Sequence, residues 1–249
     1  MRLISKIFAL ALLATSVPLC AQSRDENWTR CLAKNPDIAI SGCTALIQSD
    51  QEPSESLWMV YYDRGQMYHR KSDYDHAIQD FNDSIRLNQS KHKAETYYNR
   101  GNAYGDKGDS DHAIQDFTVA LSLEPDDSAW EWTFKAWNGR CFYRAVIGQV
   151  DAALTDCNQA LKLRPNNADN LDSRGFTYLK MKNPDASIAD YNAALAINPK
   201  LASSLYGRGL AEKIKGNLTA ADKDIAAAKA IQPTIADDFA KWGIQETKP

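Results

Sequence analysis

Leu171-Asp172-Ser173-Arg174-Gly175 returns 34 residues later as Leu205-Tyr206-Gly207-Arg208-Gly209, and this recurring pentad decides the fold. Earlier copies read Tyr61-Tyr62-Asp63-Arg64-Gly65, Tyr97-Tyr98-Asn99-Arg100-Gly101 and Trp137-Asn138-Gly139-Arg140-Cys141. Twelve residues after each pentad stands a small residue (Ala77, Ala113, Ala153, Ser187, Ala221), and four further on stands Phe81, Phe117, Cys157, Tyr191 or Ile225. The last three spans close on Pro165, Pro199 and Pro233. Turn-forming clusters such as Lys107-Gly108-Asp109 and Lys215-Gly216-Asn217 split each span into two helical halves. A helix–turn–helix unit repeated at this period is the mark of a stacked solenoid. Two junctions are longer: one carries Gln89-Ser90-Lys91-His92, the other the insertion Asp127-Ser128-Ala129-Trp130-Glu131-Trp132.

On these residues, 57–235 resemble the tetratricopeptide repeat. The resemblance implies an all-α, right-handed solenoid of about five repeats, a scaffold for proteins and peptides rather than an enzyme. Residues 24–56 read as an amino-terminal capping hairpin. Asn35-Pro36-Asp37 supplies a helix start, and Ala39, Ile40, Cys43, Leu46 and Ile47 supply one apolar face. Residues 236–249 read as a carboxy-terminal capping helix and tail, with Phe239 and Trp242 covering the last repeat. Solenoid ends need such covers because a terminal repeat otherwise exposes an apolar face.

Residues 1–23 read as a signal peptide cleaved near 21–23: Arg2 and Lys6 precede an apolar run too short to span a bilayer. A lipoprotein reading, with Cys20 as the anchor, stays open beside it, although Leu19 is bulky for that role. The expected compartment is the periplasm or the exterior. Losing Arg2 and Lys6, and no acid, moves the formal charge from −3 to −5. That mild acidity, with no basic stripe, argues against nucleic acid as a partner. No later stretch is apolar enough for a membrane span, and a monomer is expected.

Four cysteines then remain, Cys31, Cys43, Cys141 and Cys157, and an even number in an oxidising compartment points to two disulfides with three possible connectivities. The resemblance favours one of them. In the family the glycine of the pentad packs against the large residue of the second helix, and here both positions become cysteine in the same repeat. This implies Cys141–Cys157, with Cys31–Cys43 as the remaining pair. Each short loop would contribute about 3 kcal/mol.

Where many family members have leucine, this chain has Arg64, Arg100, Arg140, Arg174 and Arg208, and sixteen residues after each stands Asp80, Asp116, Asp156, Asp190 or Asp224. An ion-pair ladder, within a hairpin or across to the next, is the expected arrangement. An anion-binding stripe would be neutralised by the acids beside it.

No nucleotide loop, HExxH, GxSxG, kinase signature or CxxC pair occurs. His69, His76, His92 and His112 read as solvated helix residues, so neither a metal nor another cofactor is expected.

In the family one face of the first helices lines a concave groove. Carried over, that face presents Tyr62, Gln66, His69, Tyr98, Asn102, Lys135, Asn138, Phe142, Phe176 and Tyr206 as candidate partner contacts. Rings and amides together suit an extended peptide. Trp130 and Trp132 form a second candidate patch, either an extra buried turn or an exposed anchor. The function expected is a protein–protein interaction scaffold holding a peptide segment or partner protein. Alternatives are a structural part of an envelope or secretion assembly, or an accessory subunit of an envelope enzyme.

Overall fold

The computed structural model describes residues 23–50, 52–88, 93–123 and 131–246. The segment before Ser23 (with Cys20), the junction 89–92, Trp130 and residues 247–249 lie outside them. Among the described residues every regular element is a helix. α1 (Arg24–Cys31) and α2 (Pro36–Gln48) form the first hairpin. Then come α3 (Ser54–Arg70) with α4 (Tyr74–Leu87), α5 (Lys93–Lys107) with α6 (Ser110–Leu123), and α7 (Glu131–Val146) with α8 (Val150–Leu163). Next are α9 (Ala168–Lys180) with α10 (Pro184–Ile197) and α11 (Ala202–Ile214) with α12 (Leu218–Ile231), before the short α13 (Ile235–Lys241).

Local chemistry sets the helix starts. Ser23 opens α1 with a reciprocal cap: its Oγ accepts from the Glu26 N–H at 3.2 Å, and the Glu26 carboxylate accepts from the Ser23 N–H at 2.8 Å. Asn35 caps α2 ahead of Pro36, Asp73 and Asp109 cap α4 and α6, and Asn183 caps α10. Inside each of the five repeats the turn between helices carries one left-handed residue at the same position. Gly108, Gly148 and Gly216 hold it at φ of 97°, 86° and 84°, whereas Ser72 and Lys182 hold it at 59° and 57°. Only glycine adopts this geometry without steric cost.

Packing between helices follows a small-against-large rule. A Cβ on Gly65 would lie 2.9 Å from the Phe81 ring, one on Gly101 3.0 Å from Phe117, and one on Gly175 3.0 Å from Tyr191. The ring tips of Phe117 and Tyr191 then reach the next repeat at Gly139 and Gly207, 2.8 and 2.3 Å from the Cβ positions. Phe117 and Tyr191 are thus each gripped by two glycines on successive first helices. In the third repeat a Cys141–Cys157 disulfide, with Cα atoms 5.2 Å apart, stands in this place. Cys31–Cys43, with Cα atoms 4.5 Å apart, staples α1 to α2.

Successive first helices touch one another (α3 with α5, α5 with α7, α7 with α9, α9 with α11), while successive second helices do not among the described residues. The stack therefore curves with its first helices on the inner side. Its largest apolar cluster runs from Cys141 through Phe176, Leu205 and Tyr206 to Ile235 and Phe239, so the carboxy-terminal repeats and α13 share one core. No described helix is long and apolar enough to cross a membrane.

Candidate binding groove

The inner face begins at α3. Tyr62 leans on Phe81 with ring centroids 6.1 Å apart, and its hydroxyl accepts from Asn99 Nδ2 at 3.0 Å. Burial, more than its acidic neighbours, raises its pKa. His69 Nε2 lies 2.8 Å from an Asp106 carboxylate oxygen on α5, so these two groove residues engage each other. Gln66, one turn after Tyr62 on α3, is partly exposed. A cleft of about 330 Å³ opens beside this end, lined by Met59, Tyr62, Asp63, Glu95 and Thr96.

A second cleft, about 370 Å³, opens where α5, α7 and α9 meet. Tyr98 and Asn102 form one wall, Lys135, Asn138 and Phe142 the floor, and Asn167, Asp169 and Asn170 the far side. Lys135 is exposed. The side-chain oxygen of Asn138 is buried and has no hydrogen-bond partner among the described residues. A buried hydrogen bond left unmade is costly. Asn170 is committed to structure, donating to the Ala160 carbonyl at 3.1 Å.

Phe142, Phe176 and Tyr206 sit in another environment. Phe176 is 2% exposed and Tyr206 1%, because α13 lies across them. Phe239 packs on both, with centroids at 5.8 and 4.8 Å, and Trp242 meets Phe142 edge-on at 5.0 Å. The terminal aromatics thus reach beyond the last repeat to the third. The sequence signals only a cover for the end of the stack. Nothing in the short run after Pro233 reveals that the helix turns inward.

Trp132 belongs to the first turn of α7 and packs against Ala113, Phe117 and Ala136, 6.5 Å from the Tyr98 ring. It is a partly buried packing residue; Trp130 lies outside the described residues.

Outside the groove the arginines form a regular series. Arg64, Arg100, Arg140, Arg174 and Arg208 each grip the acid sixteen residues on through two parallel bonds of 2.6–2.8 Å. The third donor of each fork reaches the second helix of the preceding hairpin: Thr44 (3.0 Å), Asn82 (2.5 Å), Thr118 (3.1 Å), Asn158 (3.0 Å) and Asn192 (2.8 Å). These partners escaped the sequence reading, though a signal exists. Within the repeats each stands two residues after an acid of the series, and after the last acid, Asp224, stands Ala226, where no repeat follows. Aromatics flank the forks: Arg100 lies 5.1 Å from the Tyr97 ring and Arg140 4.7 Å from Trp137. Asp156 also receives Arg144 at 2.7 Å.

His76 and His112 contact the aspartates that cap their own helices and stack on Tyr68 and Tyr104 at 5.0 and 4.9 Å. Among the described residues no three His, Cys, Asp or Glu side chains are grouped to hold a metal. At the start of α3, Glu52 accepts from Arg24 (2.7 Å), Trp28 (3.1 Å) and Ser56 (3.2 Å), tying the first hairpin to the repeats.

Comparison with known proteins agrees with this geometry. Family models described as tetratricopeptide repeat match residues 60–91, 94–127 and 168–201. The chain thus carries tetratricopeptide repeats over these residues. Among solved structures, it resembles a tetratricopeptide repeat protein from Parabacteroides merdae ATCC 43184 (TM-score 0.67, 14% identity, covering 87% of this chain and 85% of that one). It also resembles MamA from Desulfovibrio magneticus RS-1 (0.58, 18%, 71% and 96%). A third is YrrB, described as a tetratricopeptide-repeat protein with an unusual peptide-binding site (0.54, 20%, 82% and 100%). At these identities the likeness is one of fold. Among curated proteins none matches by sequence.

Proposed function

We propose that this protein is an exported interaction scaffold that holds an extended peptide segment of a partner protein in the open part of its inner face, between α5 and α9. The observation that carries the reading is the cleft of about 370 Å³ that brings Tyr98, Asn102, Lys135, Asn138 and Phe142 together where α5, α7 and α9 meet. Tyr98 offers a ring face for side chains, and Asn102 and Asn138 offer donors and acceptors to a peptide backbone. The protein- or peptide-binding habit of the family supports the same reading, as does the peptide-binding site named for YrrB.

Export is supported by the two disulfides, which persist outside the reducing cytoplasm, and by the basic and apolar residues 2–19. Cleavage after Ala21 would leave the Ser23–Glu26 cap of α1 intact. Mass spectrometry of the exported protein should find Gln22 as its first residue and no free thiol; four reactive thiols would defeat the proposal of export.

The groove is tested by panning a displayed library of random peptides on the full chain. Tyr98→Ala with Asn138→Ala should weaken the selected peptides at least tenfold, about 1.4 kcal/mol, without altering the helical signal. If the double variant binds them normally, the cleft is not the site.

A further inference from the structure

The inner face of α9 and α11 is already occupied by the chain's own terminus, and the contacts have the character of a bound segment. Phe239 fills the hollow between Phe176 and Tyr206. Trp242 bridges Phe142 and Phe176, with centroids at 5.0 and 5.9 Å. Lys180, set between α7 and the terminus, donates to the Trp242 carbonyl at 3.0 Å. The chain bends away at Gly243, whose φ is 79°. Glu246 then lies between Lys229 at 3.2 Å and Lys213 at 3.4 Å, with the Tyr206 hydroxyl at 3.5 Å. Two aromatics three residues apart, one backbone carbonyl and one carboxylate are all read by side chains of the inner face and its rim.

We propose that residues 235–246 act as an internal ligand, and that the α7–α11 part of the groove also takes a partner's short helix of the same chemistry, which displaces them. That chemistry is an aromatic residue, a second one three positions on, and an acid shortly after the helix ends. The inference rests on the inner face being the recognition surface.

Three features favour displacement over permanent packing. α13 has seven residues, far below the length at which an isolated helix holds itself together, so its order depends on the groove. Its other side, with Asp237, Ala240 and Lys241, is exposed, so the segment lies on the face and is not sandwiched in it. Phe142 both lines the open cleft and supports Trp242, which makes the occupied and open parts one continuous surface. A tethered competitor acts at an effective concentration in the millimolar range and lowers the apparent affinity for a partner in proportion to its occupancy.

The probe is a labelled synthetic peptide of residues 235–246, titrated by fluorescence anisotropy into the full chain. Trp242→Ala frees the groove without altering its walls and should bind the peptide at least tenfold more tightly than the unaltered chain. Adding Phe142→Ala should abolish that gain. No gain, or a gain that survives Phe142→Ala, overturns the inference. Should Trp242→Ala lose helical signal, the unaltered chain decides: saturating peptide should speed deuterium uptake in 235–246 and not in α12, and unchanged uptake overturns it. If Trp242→Ala still captures the library peptides of the open cleft while ignoring this probe, the internal-ligand inference fails and the groove reading stands.

Discussion

Asp172 sits on α9 where the fold resists its charge. It is half-buried, accepts from Ser204 Oγ at 2.5 Å, and burial lifts its carboxyl to about 6. The unfolded value is about 4, so the folded state keeps the proton between the two values. Stability contributed by the protonated form is therefore lost as pH rises through that window. Asp172→Asn should stabilise by on the order of 1–2 kcal/mol at pH 7.5 and hardly at all at pH 4. Denaturant titrations at the two pH values check this, and equal effects would contradict it. Arg174 is the opposite case, because its fork satisfies a carboxylate whose side chain is only 9% exposed. Arg174→Met should cost about 3–5 kcal/mol by stranding Asp190, and adding Asp190→Leu should recover much of that loss. Strictly additive losses would show the two do not interact. The sixteen-residue column of Arg and Asp is readable from the chain because both lie on every repeat. The third partner of each fork is harder to read, since it lies in a neighbouring repeat at distances of sixteen to twenty-two residues along the chain.

At the scale of the element, each of the five repeats has one left-handed residue in its turn, and two of the five lack glycine there. Ser72→Gly and Lys182→Gly should each raise stability by about 0.5–1 kcal/mol, the steric relief exceeding the entropy added to the unfolded chain. Thermal melts read the change, and a lower melting temperature in both variants would contradict the strain. Neighbouring hairpins are joined through the arginine fork, so Asn192→Ala should lose about 1 kcal/mol as Arg208 gives up a partner. Ala226→Asn, the same substitution run backwards where no repeat follows, should change nothing. The hairpins and their glycine–aromatic packing are legible in the sequence because a strict period exposes them. The course of α13 is not, since it departs from the period and its path depends on rings far apart along the chain. Trp132 is left open by the sequence for a related reason: an insertion has no equivalent positions to compare, and its packing beside Tyr98 and Phe117 emerges only in the structure.

As a whole molecule the protein is a curved stack with one inner face in two conditions, open from α5 to α9 and covered by the terminus across α9 and α11. Exposed ion pairs at the ends of the helices, such as Lys71 with Asp37 and Lys215 with Asp185, contribute little stability. The same stack joins the two functions of its side chains: the glycine–aromatic and arginine contacts fix the spacing of first helices, and that spacing sets the cleft around Asn138. Hydrogen–deuterium exchange of the full chain with a saturating library-selected peptide reads directly whether recognition takes place on the inner face. Protection is predicted in residues 94–107 and 131–146 (α5 and α7), with α6 and α8 unchanged. Protection confined to α6, α8 or the outer ends of the stack would place recognition away from the inner face.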